Sequence, residues 1–243
     1  MKLLVDQGNS RTKLAIVEND QIIVFLTADN FQESDFMQFI SNKQIDRTLY
    51  ASVAKMAAFL EEYCINCAIN IKSLVTKTAE NQNKLNNVYG FYDTLGADLL
   101  ATAVYAHHLG EDEPTLTISM GSCITSIVVN SNGEFMGNSI SPGLTMRAQA
   151  LHQFTNALPL IDINKEMQNH SFSSRQFAKD TPTVILKGII SGIEGELLKN
   201  ISDFKSIYPT GKVFITGGDA FYFSKILGLK VVDNMVLLGL NLV

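Results

Sequence analysis

Two short polar turns, each with a central glycine, hold the residues of this sequence whose types and spacing suit chemistry. The first is DQGNS, residues 6–10, which follows the apolar run 3–5. The second is SMGSC, residues 119–123, which also lies between two apolar runs. Glycine lets the backbone approach a ligand closely, and successive N–H groups in a turn form an anion cradle. The pair favours phosphate binding, whereas one turn alone would be better explained as a plain hairpin with Gly8 at positive φ.

A third glycine turn follows the apolar stretch 213–215. The segment ITGGDAFYF places Gly217 and Gly218 between a strand pattern and a helix-like stretch. Two glycines in a row allow a phosphate or a flat ligand surface to pack against the backbone. By itself a Thr-Gly-Gly turn is weak support for a ligand site.

The composition excludes several classes of protein. The chain has 243 residues and a net charge of −5, and it contains no dense basic run, which argues against nucleic acid or an anionic membrane as partner. The apolar start ends at Asp6, too early for a signal-peptide core, and no apolar run is long enough to span a bilayer. We therefore expect a soluble cytoplasmic protein.

The cysteines do not indicate a disulfide framework, because there are three of them. Cys64 and Cys67 form a C-x-x-C motif, which would suit a redox dithiol or half a zinc site. Their helical spacing with Phe59, Leu60 and Tyr63 favours a buried stripe instead. No second Cys or His pair lies at metal-ligand spacing.

The elements that must position the turns alternate along the chain. Apolar patterns predict strands over 2–5, 13–17, 22–27, 48–53 and 71–75, and helices over 31–41, 55–69 and 97–109. From residue 113 the order of strand, glycine turn and strand starts again, so that Gly8 aligns with Gly121 and Thr12 with Thr125. This repetition predicts a duplicated α/β fold with domains 1–112 and 113–243, each pointing a glycine turn into the cleft between them.

Together these motifs resemble the type III pantothenate kinases, which belong to the actin-like, sugar-kinase-like ATPase superfamily of duplicated RNase H-like domains. The first phosphate motif of the family, D-x-G-N-[ST]-x-x-K, is complete. The resemblance implies that ATP is bound along it by Asp6, Gln7, Gly8, Asn9, Ser10, Arg11, Thr12 and Lys13. It also implies ATP contacts in the partly retained second motif and in the adenosine motif ITGGDA, through Gly121, Ser122, Gly217 and Gly218.

A substrate segment of the family, Y-x6-G-A-D-R, is matched with a leucine in place of the arginine. With the helix start at Thr181, the resemblance implies pantothenate contacts by Tyr89, Gly96, Ala97, Asp98, Leu99 and Thr181. Asp98 stands where the family has its proton acceptor. Without the resemblance, Asp98 is explained as an acid in a first helical turn, where it favours the helix dipole. Thr181 with Pro182 is likewise a good N-cap and first-turn pair.

The resemblance implies ATP-dependent phosphorylation of pantothenate to 4′-phosphopantothenate, the first step of coenzyme A biosynthesis, by a homodimeric phosphotransferase that acts on an alcohol. Asp6 suits Mg²⁺, bound through water, because Mg²⁺ is held by few carboxylates and keeps its waters. Lys13 would supply positive charge if its side chain turns into the cleft; otherwise it is a solvated strand residue.

Two positions depart from the family pattern. Ser119 replaces the Asp that helps to hold a monovalent cation, K⁺ or NH₄⁺, and a hydroxyl brings no negative charge. We therefore predict weak or absent K⁺ dependence. Leu99 cannot make the hydrogen bonds of the usual arginine, and Arg147 is a candidate replacement. These losses keep two alternatives open: a non-catalytic regulatory protein, as for accessory factors of transcription in the same family, or a kinase for another small alcohol.

Overall fold

A computed structural model describes residues 1–8, 11–52, 58–70, 95–169 and 177–243. Asn9, Ser10 and Tyr89 lie outside these ranges, as does the strand predicted over 71–75. The side chains of Cys64 and Cys67 are also outside the described part, so the interpretation of the C-x-x-C motif stays a prediction.

The first sheet has five strands in the order β3-β2-β1-β4-β5. They are β1 (Lys2–Gln7), β2 (Thr12–Glu18), β3 (Gln21–Ala28), β4 (Arg47–Ser52) and β5 (Ala68–Asn70). Strand β1 runs antiparallel to β2 and parallel to β4. This central strand is apolar at every position from Leu3 to Val5 because both faces of the sheet are covered.

Helices cover the two faces of this sheet at the places that the sequence predicts. They are α1 (Glu33–Ile40), α2 (Ala58–Cys67) and α3 (Ala97–Gly110). The helix predicted over 55–69 ends earlier than expected, at Cys67, because strand β5 begins at Ala68. Neighbouring strand residues point to opposite faces. Leu3 and Val5 accordingly pack in one buried cluster with Phe36 of α1, whereas Leu4 packs in another with Leu100 of α3.

The second sheet has four strands in the order β8-β7-β6-β9. They are β6 (Thr115–Met120), β7 (Cys123–Val129), β8 (Phe135–Pro142) and β9 (Lys212–Thr216), which confirms the predicted strand order after residue 113. The remaining helices are α4 (Leu144–Gln153), α5 (Ile163–Asn169), α6 (Thr181–Ile207), α7 (Ala220–Leu227) and α8 (Met235–Asn241). Within the described ranges, no helix has the length and apolar character needed to cross a membrane.

The chain forms two compact units that are not separated by a single cut. Unit 1 consists of Met1–Thr115, Ile127–Gly137 and Asn234–Val243, and unit 2 consists of Leu116–Ser126 and Asn138–Asp233. The C-terminal helix α8 therefore belongs to unit 1. There Gly239 packs so tightly on α3 that an added Cβ would lie 2.6 Å from the carbonyl carbon of Ala101. These units are defined by contacts, whereas the predicted domains 1–112 and 113–243 are defined by the repeat in the sequence. That the chain arose by duplication with a boundary near residue 112 stays a prediction.

Candidate active site

Three charged residues of unit 1 form one electrostatic group. Asp6 on β1 lies directly opposite Lys13 on β2, and such antiparallel neighbours project from the same face of a sheet. Burial raises the pKa of the half-buried Asp6 carboxyl to about 6; the charge of Lys13 lowers this pKa and the charge of Asp98 raises it. The predicted cation and proton acceptor are therefore both close enough to the predicted metal-binding acid, Asp6, to affect its ionisation.

The start of α3 positions Asp98. Gly96 is the N-cap residue, and its carbonyl accepts a hydrogen bond of 3.1 Å from the N–H of Leu100. Ala97 and Leu100 are buried, whereas Asp98 is half-buried on the other side of the first turn. The helix dipole therefore acts on Asp98 as the sequence predicts, and this acid also lies within the field of Asp6.

The first glycine turn closes a tight hairpin. The Gly8 N–H donates a 3.0 Å hydrogen bond to the carbonyl of Arg11, whose guanidinium pairs at 2.8 Å with the exposed Asp29. The φ of Gly8 lies outside the left-handed region, so the alternative explanation of this turn, a plain hairpin with Gly8 at positive φ, does not hold. Thr12 is buried at the start of β2.

Gln7 carries an unsatisfied polar atom next to this turn. Its side-chain oxygen Oε1 is buried and has no hydrogen-bond partner among the residues that the structure describes. Buried polar atoms in native proteins are almost always satisfied by protein, water or ligand. The atom is therefore one place in the first motif where a bound ligand or water would be stabilised.

In the second glycine turn, too, the N–H of the glycine is the hydrogen-bond donor, but the turn that it closes is shorter by one residue. The N–H of Gly121 donates to the carbonyl of Cys123 at 3.0 Å, two residues ahead, whereas Gly8 bonds three residues ahead. The two glycine N–H groups thus close their own turns.

Gly143, which our sequence analysis did not include among the site residues, lies against this second turn. Its N–H donates to the carbonyl of Ser122 at 2.9 Å. An added Cβ at Gly143 would lie 2.8 Å from the Ser122 oxygen and closer still to the oxygen of Gly121. Only a residue without a side chain fits here, and the Pro142-Gly143 step ahead of a helix pattern is a signal in the sequence that could have indicated it.

The third glycine turn, residues 217–218, packs against the backbone of Met120, directly before the second glycine turn. Gly217 has a φ of +101°, and an added Cβ would lie 2.6 Å from the carbonyl carbon of Met120. The N–H of Asp219 donates to the Met120 carbonyl at 3.1 Å. Gly218 is exposed beside it. The backbone of residues 120–122 is therefore packed against two other backbone segments of unit 2, one at Gly143 and one at residues 217–219.

These motifs match a known family over most of the chain. Residues 2–202 match the model of the type III pantothenate kinases. The chain belongs to this family. A type III pantothenate kinase of Bacteroides fragilis (strain YCH46) is 34% identical over 99% of this chain and 96% of the relative. One of Porphyromonas gingivalis (strain W83) is 36% identical over 98% of this chain and 96% of the relative.

Solved structures show the same fold. A conserved protein of the Baf family from Campylobacter jejuni has a TM-score of 0.59 and 19% identity, covering 97% of this chain and 92% of that one. An activator of 2-hydroxyisocaproyl-CoA dehydratase from Clostridium difficile, with bound ADPNP, has a TM-score of 0.52 and 11% identity, covering 99% and 92%. The fold class is thus confirmed as α/β with two sheets, as in these structures.

The structure corrects one capping assignment in this kinase. The N-cap residue of α6 is Asp180, whose carboxylate accepts a 3.1 Å hydrogen bond from the N–H of Thr183. Thr181 is the first helical residue and is exposed, and Pro182 follows it. An ionised carboxylate one residue earlier is at least as good a cap as a threonine hydroxyl, which explains the shift.

The positions that depart from the family pattern have local structural roles. Leu99 packs against the buried cluster of unit 1, as its aliphatic side chain requires. Ser119 is half-buried on β6. Arg147 forms an ion pair with Glu196 inside unit 2, so its guanidinium already has an acidic partner there. Its role as a replacement for the family arginine stays a prediction.

Proposed function

We propose that this chain transfers the γ-phosphoryl group of ATP to the hydroxyl of pantothenate, giving 4′-phosphopantothenate in the first step of coenzyme A biosynthesis. The observation that carries the proposal is the charged group of Asp6, Lys13 and Asp98 in a member of this kinase family. A retired kinase has no physical need to keep two acids and a cation so close, because burial of charge is costly.

Asp98 is the proposed proton acceptor. The substrate hydroxyl oxygen forms a bond to the γ-phosphorus, the bond from this phosphorus to the ADP oxygen breaks, and the hydroxyl proton passes to the Asp98 carboxylate. Its place in the first turn of α3 gives the carboxylate a fixed direction. Gly96, Ala97, Thr181 and Tyr89 are proposed pantothenate contacts on the family resemblance.

The three glycine turns are the proposed contacts of ATP. Backbone amides near residues 8–12 and 121–122 would hold phosphate oxygens, and the 217–218 turn would face the adenosine. Bound Mg²⁺ would neutralise phosphate charge, and Asp6 is the residue proposed to hold it through water. Among the described residues, no three His, Cys, Asp or Glu side chains lie together as a metal site.

The direct test is turnover of pantothenate by purified protein with Mg-ATP, alongside a panel of small alcohols. Asp98→Asn should lower kcat by about 10²-fold or more, because proton transfer to a positioned base contributes about that factor. Asp20→Asn, at an exposed surface pair with Lys2, is the matched control and should leave turnover unchanged. ATP binding without transfer to any acceptor would favour the regulatory alternative, and transfer to another alcohol would favour a different kinase.

Cation use, oligomeric state and location are proposed from the family resemblance. Weak K⁺ dependence is expected because Ser119 has no charge. A cytoplasmic homodimer is expected, and exposed apolar side chains of unit 2, such as Ile140, Met146 and Phe154, are candidates for its interface. Light scattering of purified protein would give the mass, and a monomer at micromolar concentration would contradict the dimer.

A further inference from the structure

A polar network in unit 2, here called the Arg147 clamp, joins Ser141, Arg147 and Glu196. Arg147 Nη2 lies 2.5 Å from Glu196 Oε2, and Ser141 Oγ donates to Glu196 Oε1 at 2.5 Å. Arg147 Nη2 also lies 3.4 Å from Ser141 Oγ. The Arg147 and Glu196 side chains are 23% and 27% exposed, so solvent screens this pair less than a surface pair.

The clamp holds the backbone that leads into α4. Arg147 Nε donates a 2.8 Å hydrogen bond to the carbonyl of Pro142. Ser141 and Pro142 are thereby tied to Glu196 on the long helix α6. The next residue, Gly143, is the one that bonds to the Ser122 carbonyl at 2.9 Å. Three consecutive residues thus connect the clamp to the second glycine turn.

This connection determines where the amides of the turn point. The Gly121 and Ser122 carbonyl oxygens both lie against Gly143. In a trans peptide the carbonyl and the following N–H point in opposite directions. The N–H groups of Ser122 and Cys123 therefore point away from Gly143, as two successive donors of one turn.

We propose that Glu196, acting through Arg147 and Ser141, is a positioning residue for ATP: it holds Gly143 against the second glycine turn and so keeps the two amides of that turn in line for phosphate oxygens. The inference rests on the proposed role of this turn in ATP binding. Glu196 contacts no reacting atom, and its effect passes entirely through the backbone at residues 141–143.

The clamp is not needed to hold α6 in the fold. That helix is anchored by an apolar stripe of buried residues, namely Ile185, Leu186, Ile189, Ile190, Ile193, Leu197 and Phe204. Because Glu196→Gln removes only one of the two charges, the free energy of unfolding of this variant is measured beside its kinetics. The ion pair itself adds little stability to such a stripe. Its geometric effect on residues 141–143 is therefore separable from the stability of the unit.

The test compares Glu196→Gln with Asp203→Asn in the full chain. Asp203 pairs with Lys199 on the same helix at 2.5 Å but is exposed and outside the clamp. We expect Glu196→Gln to raise the KM for Mg-ATP about tenfold while the KM for pantothenate changes less than about twofold, since a small misplacement of donors weakens phosphate contacts selectively. Asp203→Asn should change neither. An unchanged KM for Mg-ATP, or equal changes for both substrates, would overturn the proposal.

Calorimetric titration of each protein with Mg-ATP, without pantothenate, separates this inference from the proposed function. If the wild type binds Mg-ATP but does not phosphorylate pantothenate, the proposed function fails, and about tenfold weaker binding by Glu196→Gln still supports the clamp. Equal affinity in the two proteins, or no binding by the wild type, refutes it. Should Glu196→Gln fold poorly, Ser141→Ala removes a single hydroxyl and is expected to weaken binding two- to threefold; unchanged affinity would then refute the inference.

Discussion

Replacement of Gly143 by alanine tests whether backbone packing on the second glycine turn governs ATP use. The added Cβ would lie 2.8 Å from the Ser122 oxygen and closer to the Gly121 oxygen, although real Cβ atoms essentially never come within 3.0 Å of other heavy atoms. Both obstacles are backbone atoms, which no side-chain rotation can move. The turn and the start of α4 must therefore separate by a distance on the order of 1 Å.

The expected cost has two parts. Overpacking of this kind lowers the free energy of unfolding by about 1–3 kcal/mol, and a displacement of about 1 Å at a site that positions substrate can slow turnover about 10²-fold. We expect kcat/KM for Mg-ATP to fall by about that factor while the KM for pantothenate is retained. Steady-state kinetics with either substrate varied, together with urea unfolding, measure both parts.

Gly188→Ala is the matched control. Gly188 is exposed in the interior of α6, and an added Cβ there meets nothing within 4 Å. This change should stabilise the protein by up to about 1 kcal/mol and leave kinetics unchanged. If Gly143→Ala has wild-type kcat/KM for Mg-ATP, the contact of Gly143 with the turn has no bearing on phosphate binding, and our reasoning about this site is wrong.

Three further predictions follow from other contacts. Burial raises the pKa of Asp6 from 3.8 to about 6, so ionisation of this carboxyl destabilises the folded state. Its contribution to the free energy of unfolding is therefore largest below pH 4 and falls by about 3 kcal/mol as the pH rises to and through 6. Urea unfolding in EDTA should show that Asp6→Asn removes this loss. Gly239→Ala should lower the free energy of unfolding by about 1–3 kcal/mol and also reduce kcat, because the added Cβ displaces α3, which carries Asp98; a wild-type melting temperature would contradict this. Ser119→Asp should introduce K⁺ stimulation at fixed ionic strength, and a wild type already stimulated strongly would refute our account of Ser119.

Local patterns in the sequence predicted most elements and part of the site. The alternation of apolar residues gave the bounds of β1 to β4 within two residues, and the acid at position 98 lies in the first turn of α3 as expected. Such features depend on residues within one turn of helix or one strand pair. Even locally, competition between neighbours was decisive: Asp180 rather than Thr181 caps α6.

Tertiary structure alone decided which distant segments meet. Arg147 pairs with Glu196, 49 residues away, and Gly217 lies against the Met120 backbone. The C-terminal helix α8 joins unit 1 although the repeat in the sequence assigns it to the second half. Apart from the Arg147–Glu196 ion pair, these contacts involve backbone atoms packed against a glycine that has no side chain, and such atoms are present whatever the residue type. The sequence by itself therefore determined the elements and the candidate acids, whereas the folded backbone decided how the glycine turn at residues 121–122 is held.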